Sequence, residues 1–398
     1  KQCFDINATK LTPNEFIAAL IKAPVDLIWN GGIGTYVKAS EESHADVGDK
    51  ANDVLRVDGK DLRCKVIGEG GNLGFSQLGR IEFNLHGGRC FTDFIDNAGG
   101  VDCSDHEVNI KILLNEVVEN GDLTSKQRNN LLAKMTEDVS KLVLKNNYRQ
   151  TQAISIASQD AAPRMEEYRR LINTYEASGK LNRELEFIPG DEEILERKSK
   201  NLGLSRPELS VLISYVKGDM KEQLINSSLS ADECLVEEIH QVFPEQLVGK
   251  YKNELHAHRL RREIIATQVA NDMVNHMGIT FVDRLRLSTG AATSAIALAY
   301  IIARDVFNLE YWWESIEKLD YKIPAETQME MMSEMMRLIR RASRWLLRNR
   351  RSELNVSSHQ DDFSAGIEHI SENLRNYLIG EQKAQWQKKY DEYLKYFI

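Results

Sequence analysis

Two glycine-rich segments, each with one asparagine, contain the residues whose types and spacing best suit ligand binding. Residues 66–74 read VIGEGGNLG and include Gly70 and Asn72, and residues 96–101 read DNAGGV and include Asn97. Glycine lets a backbone approach a ligand closely. An asparagine side chain both donates and accepts hydrogen bonds, which suits a carboxamide or a ribose hydroxyl. Together the segments predict one side of a dinucleotide site, while the first segment alone is equally typical of a tight turn without a ligand.

Ser104 is a candidate for binding a carboxylate. Glu107 follows it by three residues, which is the spacing of a capping box, and predicts that Ser104 is the N-cap of a helix beginning at Asp105. The N-terminus of a helix also attracts anions. The sequence therefore predicts that Ser104 caps a helix and can hold a substrate carboxylate as well.

The elements that must position these residues are short strands alternating with helices. Strands are predicted over 25–29, 65–67 and 89–92, with a helical stretch over 78–85. This alternation indicates a parallel sheet, and ligands bind outside the carboxyl ends of the strands in such sheets. Both glycine-rich segments follow a predicted strand at that end.

Three capping boxes predict helix starts elsewhere in the chain. Thr12 precedes Pro13 and is followed by Glu15, and the same spacing recurs in Thr124 with Gln127 and in Ser205 with Glu208. Beyond about residue 105 the pattern is helical throughout.

The predicted fold class is α/β plus mainly α, with a truncated, three-stranded Rossmann-type parallel sheet followed by a large helical domain. Residues 1–118 form the first domain and residues 119–398 the second. A subdomain joint is expected near 178–200, which is rich in charge and contains a Pro-Gly pair.

Composition limits the classes of function. With 42% hydrophobic and 28% charged residues and a net charge of −9, the chain is expected to be soluble and not a general nucleic-acid binder. Its longest apolar run, residues 291–303, is too short to span a bilayer, so no membrane partner is expected. The chain begins at Lys1 without a visible secretion signal, and we expect it to be a piece of a longer polypeptide.

The cysteines and histidines predict neither disulfides nor a metal site. Five scattered cysteines suit reduced thiols and a cytoplasmic location. The histidines lack recognised metal-ligand spacing, and those considered are His86, His106, His256 and His258.

A basic run over Arg337–Arg351 is consistent with a solvated helix face or with binding of an anion or another chain.

The two glycine-rich segments also resemble a known family. Residues 69–72 (EGGN) and 97–101 (NAGGV), followed by Ser104 and Glu107, resemble the C-terminal half of the nucleotide-binding domain of glutamate dehydrogenases. Residues 27–37 and 101–111 are similar to the large, bacterial, NAD-specific class, and the helical remainder resembles the C-terminal domain of that class, so the resemblance covers essentially the whole chain.

The resemblance implies NAD as cofactor and L-glutamate and 2-oxoglutarate as substrates, interconverted by oxidative deamination. It implies that Asn72 and Asn97 contact the nicotinamide end of NAD, with Gly70 in the cofactor loop, and that Ser104 holds the side-chain carboxylate of glutamate. A homo-oligomer is expected. Smaller relatives have alanine at the position of Gly71, so the cofactor loop is expected to differ in detail.

The catalytic lysine and aspartate of the family have no counterpart here. They belong to an earlier substrate domain, and the chain contains no G-x-G-x-x-G sequence. No catalytic residue is therefore assigned, and the chain alone is expected to be inactive. An alternative function is a helical regulatory or oligomerisation module without chemistry of its own.

Overall fold

The computed structural model describes residue 4, residues 6–229 and residues 233–396. The described chain forms two compact units. Unit 1 comprises Lys1–Glu222 and Val236–Thr280, and unit 2 comprises Gln223–Leu235 and Phe281–Ile398. The domain boundary at residue 118 stays a prediction.

Unit 1 contains the described strands and most of the helices. Its strands are β1 (Leu27–Asn30), β2 (Val37–Lys38), β3 (Val57–Asp58) and β4 (Val66–Glu69). Its helices are α1 (Pro13–Ile21), α2 (His44–Val47), α3 (Gln77–Leu85), α4 (Asp93–Asp96), α5 (Ala98–Glu119), α6 (Ser125–Lys134), α7 (Thr136–Gln159), α8 (Met165–Ala177), α9 (Asp191–Ser199), α10 (Arg206–Ile225), α11 (Glu245–Lys250), α12 (Lys252–His256) and α13 (Arg261–Met277). Short 3-10 helices cover Lys50–Asn52 and Gly59–Asp61, and a longer one covers Glu233–Val242; α10 and this last helix run across the unit boundary.

Unit 2 is helical in its described residues. Its helices are α14 (Phe281–Thr289), α15 (Thr293–Val306), α16 (Leu309–Glu317), α17 (Ala325–Asn349), α18 (Val356–Tyr377) and α19 (Gly380–Leu394), with a 3-10 turn at Arg351–Glu353. Within the described ranges no single helix is long and apolar enough to cross a membrane. Only α14 and α15 taken together reach that length and composition, and they are bent by 110°.

Two parallel strand pairs form the β structure of unit 1. β1 pairs with β4 from Leu27 opposite Val66 to Asn30 opposite Glu69, and β2 pairs with β3. The carboxyl ends of β1 and β4 therefore lie at one edge, as the alternating pattern predicts. A core that includes Ile67 supports the sheet.

The predicted third strand over residues 89–92 is wrong. Arg89 makes only an isolated parallel bridge to Val66, because the chain turns at once into α4, whose N-cap is Thr92. The expected parallel α/β arrangement is thus confirmed as a two-stranded pair with a bridge, and the Rossmann-type assignment stays a prediction.

Local capping signals give the correct helix starts. The capping boxes at Thr12 and Thr124 form, with the backbone N–H of Glu15 and of Gln127 donating to the threonine hydroxyl at 3.3 Å. At the third position, the Ser205 backbone N–H and hydroxyl both donate to Glu208 Oε2, at 2.6 and 2.7 Å, immediately before α10.

Candidate functional site

The loop after β4 folds back over the end of β1. The backbone N–H groups of Gly70 and Gly71 both donate to the Asn30 carbonyl, at 2.9 and 3.1 Å. A Cβ atom at Gly70 would lie 2.6 Å from the Trp29 ring, and one at Gly71 would lie 2.5 Å from the Gly32 carbonyl oxygen. Contacts this short exclude a side chain unless the neighbours move. The glycines are therefore needed for the two strand ends to meet, and Gly71 in particular has no room for the alanine of smaller relatives.

Asn30 adds an unused donor at the same edge. Its side-chain Nδ2 is buried and has no hydrogen-bond partner among the described residues. A buried amide donor without an acceptor is costly. Gly74 covers it closely, since a Cβ atom there would lie 1.8 Å from this nitrogen.

Two acidic side chains of α4 fix the backbone of the loop. Asp96 Oδ2 accepts the Glu69 N–H at 2.9 Å, and Asp93 Oδ2 accepts the Leu73 N–H at 2.8 Å. Leu73 itself has a φ of +59°, a strained value for a leucine. The two aspartates thus stabilise a loop conformation that the chain would not adopt alone.

Beneath the loop lies a buried ion pair. Arg80 donates through Nε to Glu69 Oε2 at 2.6 Å and through Nη2 to Glu69 Oε1 at 2.9 Å, and Nη2 lies 3.4 Å from Asp93. The side chains of Arg80 and Glu69 are 5% and 1% exposed. This bidentate geometry joins β4 to α3 and, through Asp93, to α4. This network was not predicted from the sequence, although a carboxylate at the end of an apolar strand was a signal for a buried cation.

The same burial changes the acidity of Asp96. Burial raises the pKa of the Asp96 carboxyl to about 7, and the negative charge of Glu69 adds to the effect, while the hydrogen bond from the Glu69 N–H opposes it. Asp96 therefore gains or loses its proton near neutral pH, one residue before Asn97.

The two predicted asparagines are in contact. Asn97 Nδ2 donates a hydrogen bond to Asn72 Oδ1. This bond leaves the Asn72 amide with its N–H donors and the Asn97 amide with its carbonyl oxygen. The pair thus keeps both free N–H donors and a free carbonyl acceptor, the complement of a carboxamide group.

Ser104 lies inside α5, so the prediction that it caps a helix is wrong. The helix starts at Ala98 with Asn97 as its N-cap, and backbone N–H groups beyond the first turn already bond to carbonyls four residues earlier. The Ser104 hydroxyl donates instead to the Gly100 carbonyl at 3.4 Å, and Glu107 pairs with Lys111.

The second glycine-rich segment is likewise not a loop after a strand. It joins α4 to α5, with Gly99 and Gly100 in the first turn of α5.

This continuous helix fixes the spacing of the site. Ser104 is seven residues, or two turns, beyond Asn97, so both lie on one face of α5 about 10 Å apart along its axis. Val101 and Val108 fall on that face and are 67% and 52% exposed. The exposed face thus carries an amide at its start and a hydroxyl between two apolar side chains.

Two known protein families match most of the chain. Residues 1–157 match the family described as the catalytic domain of bacterial NAD-glutamate dehydrogenase, and residues 201–396 match the family described as the glutamate dehydrogenase C-terminal domain. The chain belongs to the bacterial NAD-glutamate dehydrogenase family. The resemblance inferred from the two glycine-rich segments is confirmed.

Relatives in this family are similar along almost the entire chain. An NAD-specific glutamate dehydrogenase of Pseudomonas aeruginosa is 58% identical over 99% of this chain, and that of Halomonas elongata is 53% identical over 99%. That of Mycobacterium tuberculosis is 39% identical over 98%. The chain spans about a quarter of these relatives, 24% of each.

Proposed function

We propose that this chain is part of an enzyme that oxidatively deaminates L-glutamate to 2-oxoglutarate and ammonia with NAD. NAD, when bound, accepts the hydride from the glutamate α-carbon. The share of this chain is positioning: Asn72 and Asn97 bind the carboxamide, Gly70 lets the loop approach the cofactor, and Ser104 binds the side-chain carboxylate of glutamate.

The observation that best supports this assignment is the contact between Asn72 and Asn97 at the carboxyl edge of β1 and β4. The pair offers the donor and acceptor that a nicotinamide carboxamide needs. Ser104 lies about 10 Å along the same helix face. These residues fit a cofactor ring lying near Asn97 and a substrate extending toward Ser104.

Substrate binding is tested by Ser104→Ala in the complete protein. Loss of one hydrogen bond to a carboxylate is expected to raise the KM for glutamate about tenfold, the equivalent of about 1.4 kcal/mol, with the KM for NAD unchanged. Ser371→Ala is a matched control, since Ser371 is also an exposed helical serine that bonds four residues back, to Ile367. Equal glutamate KM values in the two variants would refute the role of Ser104.

Cofactor binding is tested by Asn97→Ala and Asn72→Ala. Each variant is expected to weaken NAD binding more than it changes glutamate binding. NAD binding is measured by quenching of protein fluorescence or by calorimetry. An unchanged Kd for NAD in both variants would contradict the carboxamide assignment. The glutamate KM of the same variants separates a local effect from general misfolding.

We also propose a homo-oligomeric protein in the cytoplasm. Exposed aromatic side chains support assembly, among them Trp29, Trp312 and Trp345, since such residues are enriched at interfaces. Free thiols at Cys64, Cys90 and Cys103 support a reducing compartment; Cys3 and the side chain of Cys234 lie outside the described residues. Light scattering of the complete protein tests the homo-oligomer, and the mass of a single subunit would contradict it. The helical-module alternative predicts instead that Ser104→Ala leaves the glutamate KM unchanged.

A further inference from the structure

Two histidines of unit 1 face each other at a distance that calls for a shared proton or a shared cation. His240 Nε2 lies 3.0 Å from His256 Nε2, with the ring planes 17° apart. Two protonated rings cannot occupy this geometry because both nitrogens would be cationic donors. At least one lone pair therefore points into the space between the rings.

Glu237 completes the group. The residue lies three positions before His240 on the 3-10 helix Glu233–Val242, where side chains three apart lie directly above each other. Its Oε2 is 2.9 Å from His240 Nδ1, and one donor atom from each of Glu237, His240 and His256 lies within 4.8 Å of the others. A carboxylate on Nδ1 places the lone pair of His240 on Nε2, as in carboxylate–histidine–zinc arrangements.

The surroundings favour a neutral imidazole at neutral pH. Burial lowers the pKa of His240, and the nearby charge of His256 adds to this, whereas Glu237 opposes it. Metal ligation requires the unprotonated ring. Glu237 is 62% exposed, so a cation can reach the group from solvent.

We propose that His240 and His256 bind a divalent transition-metal ion through their Nε2 atoms, with Zn²⁺ as the best fit and with Glu237 orienting His240 through Nδ1. Imidazole nitrogen is a zinc ligand, and two protein ligands leave two positions for water. Zn–N distances of about 2.0–2.1 Å in a tetrahedron place two nitrogens about 3.4 Å apart. The histidine pair needs to open by only a few tenths of an ångström.

Bound metal would join two segments that both contact α5. The His106 Nδ1–H of α5 donates to the Val242 carbonyl at 2.9 Å, at the end of the helix that carries His240. His258, two residues after His256, contacts the Asn109 carbonyl at 3.1 Å. The metal therefore cross-links these two segments beside the helix that carries Ser104.

Lys252 is the competing cation. Its Nζ lies 2.9 Å from Glu237 Oε1, so an arriving metal ion meets a positive charge beside the histidine pair. Replacing Lys252 by methionine removes this repulsion. Tighter metal binding by Lys252→Met is a gain that misfolding cannot produce.

The test is calorimetric titration of Zn²⁺ into the purified 398-residue chain, freed of any affinity tag, with Co²⁺ absorption to report the geometry. We expect one ion per chain, binding at least about tenfold weaker in His240→Gln and in His256→Gln, and binding about fivefold tighter in Lys252→Met. His86→Gln is the control, since His86 is exposed and bonds only to the Glu82 carbonyl among its described contacts.

Two results would overturn the proposal. One is the absence of stoichiometric Zn²⁺ binding by a chain shown to be folded by circular dichroism. The other is Zn²⁺ affinity that falls equally in His86→Gln and His240→Gln, which would indicate adventitious binding at surface histidines only. Hydrogen exchange gives a separate readout, because Zn²⁺ should slow exchange over residues 233–256 in the unmodified chain and not in His256→Gln.

Discussion

Removal of the buried cation beneath the loop after β4 should destabilise unit 1 strongly. Arg80→Met leaves Glu69 buried without its two hydrogen bonds and takes the cation away from Asp93. Breaking one side of a buried pair costs about 3–5 kcal/mol. The upper half of this range is expected, because two carboxylates lose one partner. Loss of this pair should loosen the junction of β4 with α3.

The measurement follows Trp29 during urea unfolding. Trp29 is the only tryptophan before residue 312 and its ring covers Gly68 and Gly70. Incorporating 5-fluorotryptophan gives a ¹⁹F signal that reports the β1–β4 junction separately from the tryptophans of unit 2. The shift in urea midpoint, multiplied by the slope of the unfolding free energy against urea concentration, gives the loss in free energy of unfolding.

A matched control lies on the same strand pair. Lys65 and Asp26 form an ion pair at 2.7 Å, but their side chains are 78% and 86% exposed, so solvent screens it. Lys65→Met should leave the urea midpoint almost unchanged. A loss in free energy of unfolding that is no larger in Arg80→Met than in Lys65→Met would refute the importance of the buried pair. A second check is acidification, which should restore part of the loss in Arg80→Met because a protonated Glu69 needs no cation.

Three further predictions concern the same loop. Gly71→Ala should cost about 1–3 kcal/mol of unfolding free energy and weaken NAD binding by the complete protein, because its Cβ meets the Gly32 carbonyl; unchanged stability and Kd would contradict this contact. The raised pKa of Asp96 means that the folded state binds more protons than the unfolded state between pH 3.8 and about 7; stability should therefore fall as pH rises through that window. Asp96→Asn, which keeps an acceptor for the Glu69 N–H, should flatten this dependence in urea titrations at several pH values, and an identical slope would exclude Asp96 as its source. The 398-residue chain alone should form no NADH from NAD and glutamate in an absorbance assay, and glutamate-dependent NADH formation would refute the assignment of proton transfer to another part of the protein.

Local signals in the sequence predicted local structure well. The boxes at Thr12 and Thr124 form because all partners lie within three residues. The same pattern failed at Ser104, because a capping box is identical in sequence whether the helix starts there or has already begun. The upstream start at Ala98 depends on α4 packing immediately before it.

Contacts across longer separations had no comparable signal. The bond from Asn97 to Asn72 spans 25 residues, and the sequence predicted that the two segments share a site but not that these side chains touch. The Arg80–Glu69 pair and the Asp96 contact depend on how α3 and α4 pack on β4. His240 and His256, 16 residues apart, match no metal-ligand spacing, because a short helix and a turn bring them together.

The unbroken course of α5 has a mechanical consequence. Its 22 residues extend about 33 Å, and a continuous helix of this kind behaves as a stiff rod. One end lies at the loop after β4, while near the other Glu116 pairs with Arg259 at 2.8 Å. A tilt imposed at Arg259 would move Ser104 relative to Asn72, so the fold links events far from the loop to the spacing of these two side chains.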